Sequence, residues 1–170
     1  MQYLNIAHDL NLKNYCVGAG SIRDTVWSYL HQIKTVKYKD IDLAYFNKNE
    51  ERYKEKEYEQ QLNKLKLNIE WDVKNQAHVH EWYEQKFKIK VEPYISLEHA
   101  ISTWPEPATA VGVYLNENRD MQVIAPLGLN DLFSITLRRN KTRITKKIFE
   151  QRLKSKNMIE KWSKLKVLRE

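Results

Sequence analysis

YCVGAGSIRDTVWSYL (residues 15–30) and, after a polar stretch, DIDLAYF (40–46) decide how this chain folds. Tyr15-Cys16-Val17 is short and apolar, Gly18 to Ser21 are small, and Ile22, Val26, Trp27 and Leu30 then recur at helical spacing. That order predicts a strand, a tight turn and an amphipathic helix. In the second run Asp40 and Asp42 alternate with Ile41 and Leu43, the pattern of a strand buried on one face only.

Outward from this unit the same rules place the other elements. Residues 48–66 have neither Gly nor Pro and are dense in Glu, Lys and Gln, which predicts a surface helix. A third strand is expected over 68–73, with Glu70 and Asp72 on one face and Ile69, Trp71 and Val73 on the other. Helices should follow over 76–87 and from Ser96, a capping residue, to Trp104, where Pro105 stops the chain. Two apolar runs, 110–115 and 121–124, flank Asn116-Glu117-Asn118-Arg119-Asp120 and predict a hairpin. Ile144, Ile148, Phe149, Leu153, Ile159, Trp162 and Leu165 form a broken stripe that predicts a helical last third. The fold class expected is α+β, a small mixed sheet with helices mainly on one face. Without a repeat or a Pro/Ser-rich linker, the chain is expected to form one domain over 1–140, with a basic helical segment, 141–170, packed on it.

Composition excludes several classes. A chain of 170 residues with 42% hydrophobic and 11% aromatic side chains can bury a core, so global disorder is excluded. No apolar run approaches the length of a membrane span. The opening residues join no basic leader to an apolar stretch, which predicts no secretory signal, and with one cysteine a reduced, cytoplasmic setting is expected. The formal charge of +7 is uneven: Arg138 to Glu170 holds 13 Lys and Arg against 3 Glu, while the remainder is slightly acidic. A solvated helix face is expected there rather than a polyanion-binding arm.

Asp40 and Asp42, two apart on a strand, point to one side with Cα atoms about 6–7 Å apart. Such a pair repels itself unless the side is wet, paired with cations or metal-bound. If the strand bearing Glu70 and Asp72 is a neighbour, hard oxygen donors converge, a set suited to magnesium. Gly18, Gly20 and Ser21 leave room for an anion to approach the backbone at a helix start, and Arg23 lies one turn further on, although Ser21-x-x-Asp24 also reads as a capping box. His78 and His80 lack the i, i+4 spacing of helical zinc ligands, and Cys16 reads as an inert buried thiol.

Taken in order, GAGSIRDTVW (18–27), DIDLAYF (40–46), EWDVKNQAHVH (70–80), PYISLEHAISTWPEPATAVGVYL (93–115) and VIAPLGLNDLF (123–133) resemble the nucleotidyltransferase superfamily typified by DNA polymerase beta. Within it, the chain most resembles a bacterial nucleotidyltransferase-like family of small proteins. The resemblance implies a nucleoside triphosphate cradled at Gly18, Gly20, Ser21 and Arg23, with Asn75 beside it. It implies metal ligands, Mg2+ or Mn2+, at Asp40, Asp42 and Asp72. It also implies an acceptor hydroxyl activated by Asp72, with Glu70 as the fallback. Gln76, His80, Trp104, Pro105, Glu106, Ala108 and Thr109 belong to the family's runs without assigned roles, and His78 stands where relatives often carry Arg. A small-molecule or protein-borne hydroxyl acceptor is expected over RNA, and the alternative is a catalytically weak nucleotide-sensing or RNA-interacting protein with the same fold.

Overall fold

A computed structural model describes residues 1–65, 67–88 and 90–169. A mixed five-stranded sheet forms the centre, in the order β3-β2-β1-β4-β5. Its strands are β1 (Tyr15–Gly18), β2 (Asp40–Tyr45), β3 (Glu70–Asn75), β4 (Gly112–Leu115) and β5 (Met121–Ile124). β2 and β3 run parallel, whereas β1 pairs antiparallel with both β2 and β4, and β4 with β5. The α+β class and mixed sheet expected from the pattern are found.

Alternation sorts the side chains. Tyr15, Val17, Ile41, Leu43, Trp71, Val73, Val113 and Leu115 form one core, closed by Leu4 and Ala7 of α1 (Gln2–Asp9) and Leu62 of α3 (Tyr53–Asn63). Cys16 and Ala44 face the other way, under Leu97 and Ile101 of α5 (Leu97–Ser102). That face lacks room at Gly112, where an added Cβ would lie 2.4 Å from the Cys16 Sγ. Gly112→Ala should therefore cost about 1–3 kcal/mol through overpacking. Thermal unfolding followed by circular dichroism would show it, and an unchanged midpoint would mean that Cys16 moves aside freely.

α3 begins later than residue 48, after a loop that is tied down at Asn47 by Asn75. Its Oδ1 accepts from the Asn47 N–H at 3.0 Å and its Nδ2 donates to the Asn47 carbonyl at 2.7 Å. The expected end of that helix at residue 66 lies outside the described residues. α3 also lines the outer edge of β3. The N–H groups of Trp71, Val73 and Asn75 donate to Asn63 (3.0 Å), Glu59 (3.4 Å) and Glu55 (2.8 Å). Every fourth helical residue advances about 6 Å and every second strand residue about 6.6–6.8 Å, so the three acceptors keep pace with the strand.

α2 (Ala19–Leu30) leaves β1 at the Gly18–Ala19 step, where Ala19 takes φ 55. Ser21 is inside the helix, its hydroxyl donating to the Gly18 carbonyl at 2.8 Å, so the capping-box expectation is not met. Between β3 and β4 come a 3-10 turn (Gln76–His78), α4 (Val79–Phe87), α5 and a second 3-10 turn (Pro107–Thr109). Ser96 caps α5, its hydroxyl accepting from the His99 N–H at 3.0 Å.

A second core joins Trp27 of α2 to the C-terminal segment: Leu132 of α6 (Asn130–Phe133), Leu137 of β6 (Thr136–Arg138), Phe149 and Leu153 of α7 (Lys146–Ser155), Met158 of α8 (Met158–Lys161) and Trp162. Trp27 and Trp162 meet edge to face at 5.6 Å, and the Trp27 indole N–H donates to the Leu132 carbonyl at 2.7 Å. The helical expectation for the last third is corrected at its end. Asn157, at φ 49, breaks the helix, and β7 (Lys166–Leu168) pairs parallel with β6. Among the described residues no helix is long and apolar enough to cross a membrane.

Candidate active site

The parallel pairing of β2 with β3 sets Asp42 opposite Asp72 and Asp40 opposite Glu70, while β1 sets Gly18 opposite Asp42. Equal register and equal pleat put these carboxylates on one face, beside the start of α2. Asp42 and Asp72 border a cleft of about 270 Å³ lined also by Gly20, Arg23, Arg152 and Lys156, among others. A larger hollow of about 1030 Å³ lies at the other end of β1, around Tyr15 and Tyr114. No two carboxylates face each other there in strand register, so the smaller cleft is the candidate site.

Burial pushes the Asp42 carboxyl up to about 6, and the charges of Asp40 and Asp72 add to the rise. Lys156 and the Gly20 backbone N–H pull the other way. Asp72 lies 2.5 Å from the Lys74 ammonium, which also reaches Glu59 at 3.6 Å. Burial opposes the charge on Lys74, but its hydrogen bond to Asp72 and the surrounding carboxylates raise its pKa overall. Asp40 sits one pleat further out, 3.7 Å from Lys39, and touches the cleft only through its field. Among the described residues no three His, Cys, Asp or Glu side chains converge as a ligand set.

The turn residues divide. Gly20 and Arg23 line the cleft, whereas the Ser21 hydroxyl is spent on Gly18. Gly18 is required for another reason: a Cβ there would lie 2.8 Å from the Trp104 ring, which lies against the end of β1 and lines the cleft. Arg23 is buried and donates to Asp24 through Nε at 2.9 Å and Nη2 at 2.6 Å. Asn75 is a correction. It shares the pleat of Trp71 and Val73, on the sheet face turned away from Asp72, and its side chain is fully used by Asn47 and Ala77. It holds the loop after β2 rather than bordering the cleft.

Gln76, Trp104, Pro105 and Thr109, from two separate runs of the sequence, do meet here. His78 is bound to Glu81 and to the Glu50 carbonyl, both at 2.8 Å, and neither it nor His80 borders the cleft. The Cys16 thiol is fully buried and pushed up to about 12, first by burial and then by Asp42, so it is inert.

Three cleft residues were missed by sequence reasoning: Lys74, Arg152 and Lys156. Arg152 of α7 forks onto the buried Glu106, Nε to Oε1 at 2.6 Å and Nη2 to Oε2 at 3.1 Å, and Thr109 donates to the same carboxylate at 2.9 Å. Burial opposes ionisation of Glu106, but Arg152, Thr109 and Lys156 outweigh it and lower its pKa. The basic segment is thus turned partly inward, against the expectation that its cations remain in water.

The geometry has parallels in known proteins. A family model described as Nucleotidyltransferase matches residues 5–167. A solved structure described as revealing a CCA-adding enzyme head domain superposes with a TM-score of 0.80 at 30% identity, covering 97% of this chain and 86% of that one. The comparison with curated proteins finds no match. A matched family model across nearly the whole length and a similar solved structure at 30% identity give one conclusion: this chain belongs to the nucleotidyltransferase family.

Proposed function

We propose that the chain transfers a nucleoside monophosphate from a nucleoside triphosphate to a hydroxyl acceptor, with magnesium or manganese as cofactor. The observation that carries this is Asp42, held in register with Asp72 and pushed up to about 6 by burial and by the carboxylates beside it, under a ring of cations. A buried carboxylate whose pKa is raised by neighbouring carboxylates is frustrated until a cation arrives, and the donors are hard oxygens. The residues therefore fit a divalent ion held by Asp42 and Asp72, with Asp40 adding charge and phosphate or water completing the shell. A bound ion of this kind supplies charge neutralisation to the entering and leaving oxygens.

The chain's own groups do the rest. Arg23, Lys74, Arg152 and Lys156 draw the polyphosphate into the cleft. An Asp72 oxygen takes the proton of the acceptor hydroxyl as its oxygen bonds to the alpha phosphorus, and the bond from that phosphorus to the bridging oxygen breaks to release pyrophosphate. Lys74 already holds Asp72, so it positions the carboxylate for this task. The single, buried cysteine supports a cytoplasmic setting.

The acceptor we favour is a small molecule or protein-borne hydroxyl, because the basic segment spends charge internally: Arg152 on Glu106, Lys161 on Asp24 and Arg169 on Glu150. An oligonucleotide end is the rival, since the similar structure is described as CCA-adding. Incubation of alpha-labelled triphosphates with magnesium and, separately, a metabolite extract, a protein extract and an oligonucleotide pool tests both. Label in a metabolite or protein supports the favoured acceptor, and label confined to the oligonucleotides overturns it. Asp72→Asn should lower the rate by about 10²-fold or more while nucleotide Kd changes little. Loss of rate in Glu70→Gln instead would move the base to the edge of the strand.

A further inference from the structure

The four cations of the cleft are not equivalent. Arg23 is held by Asp24 at 2.6 Å, Lys74 by Asp72 at 2.5 Å and Arg152 by Glu106 at 2.6 Å. Lys156, one helical turn after Arg152, lines the same cleft, and among the described residues no ion pair is made to it. It stands at the C-cap of α7, where the last carbonyls of the helix favour a cation. Around it are Arg152 and Arg23, which repel its charge, and Glu106 and Asp42, which attract it. Glu106 is already occupied by Arg152 and Thr109, and Asp42 is the residue that faces the metal in the reading above. Its positive charge is left pointing into a concave site with no fixed counter-charge of its own.

An exposed lysine without a partner is ordinary on a surface, and Lys154 of α7 is one such, outside the cleft. Lys156 differs by position. Lys156 is solvent-exposed as Lys154 is, but it lines the cleft, where partial burial and then Arg152 and Arg23 lower its pKa. An arriving polyanion relieves that repulsion, whereas the engaged cations must each share or exchange a partner.

We propose that Lys156 is the polyphosphate-binding cation of the cleft, so that the C-terminal segment supplies part of the nucleotide site rather than only covering the core. This rests on the nucleotidyltransferase reading, and deepens it by naming the residue that meets the phosphates. Lys156→Met shortens no backbone contact and keeps the aliphatic stem, and Lys156→Arg restores the charge. Isothermal titration with ATP and with inorganic tripolyphosphate, on the full chain, should show Lys156→Met weakening both by about tenfold or more. Lys156→Arg should recover most of the affinity, Lys154→Met should stay within about twofold of wild type, and all variants should keep the wild-type thermal midpoint.

The two claims fail separately. Wild-type affinity for tripolyphosphate in Lys156→Met overturns the inference and leaves the family reading intact. An equal loss in Lys154→Met overturns it as well, because the effect would then be general charge. A wild-type protein that binds neither ATP nor tripolyphosphate, with or without magnesium, removes the nucleotide reading and this inference with it.

Discussion

Asp42→Asn is expected to stop transfer and, at neutral pH, to make the protein more stable. Burial, then the charges of Asp40 and Asp72, raise this carboxyl from 3.8 to about 6. A raised carboxyl stabilises the fold fully only where it is protonated, below its unfolded value, and that contribution is lost as pH rises through about 6. Above pH 7 the ionised form costs on the order of 3 kcal/mol at about 1.36 kcal/mol per unit. Asn is neutral at every pH and nearly the same shape, so the variant escapes the cost. The gain in thermal midpoint over wild type should be largest near pH 8 and vanish near pH 4. Magnesium should raise the wild-type midpoint and leave that of Asp42→Asn almost unmoved. Turnover should fall by about 10²–10³-fold or more. Wild-type turnover in the folded variant would remove Asp42 from the chemistry, and a lowered midpoint at pH 8 would refute the repulsion.

Glu106→Ala should be the most damaging single change at the cleft wall. Glu106 is 3% exposed and binds both the Arg152 guanidinium and the Thr109 hydroxyl. Deleting it leaves a cation facing a void, a loss of about 3 kcal/mol or more, against a total stability of only about 5–15 kcal/mol. The damage passes to function because the pair, with the packing of Ala108 against the core of Phe149 and Leu153, ties α7 to the Pro107–Thr109 turn, and α7 carries Arg152 and presents Lys156 at its end. Because the Glu106 pKa is lowered, the pair's contribution is present above the ordinary carboxylate value and lost as pH falls through the lower one. Urea unfolding of Glu106→Ala, Arg152→Met and the double variant gives the coupling, and additive losses would show that the two residues act independently.

Strand alternation made much of this site legible in advance. Asp40 and Asp42 between Ile41 and Leu43, then Glu70 and Asp72 around Trp71, state which face each carboxylate takes, and β2 and β3 turned out to be neighbours in that register. The same alternation places Asn75 with Trp71 and Val73 on the buried side. The pleat was the sounder guide there, and family position the weaker one. Arg152 and Lys156 gave no comparable signal. They are two among 13 basic residues of the last stretch, and what places Arg152 is a buried carboxylate 46 positions away. Likewise Lys166-Val167-Leu168 is too short to announce a strand, and its form depends on β6 already being in place.

The row of acceptors that α3 holds against β3 bears on how this protein behaves when crowded. A strand edge with unclaimed N–H groups is a template on which a second chain can add, and sheets that end in one are prone to aggregate. Here Asn63, Glu59 and Glu55 already occupy that template, so polymer growth from the β3 side is blocked without a proline or a bulge. The protection is conditional on the helix. A cut in residues 47–52, or any partial unfolding that lifts α3 away, uncovers an edge that carries Trp71 and Val73 and is backed by Ile41 and Leu43. Protection of the β3 edge therefore depends on the docking of one polar surface helix.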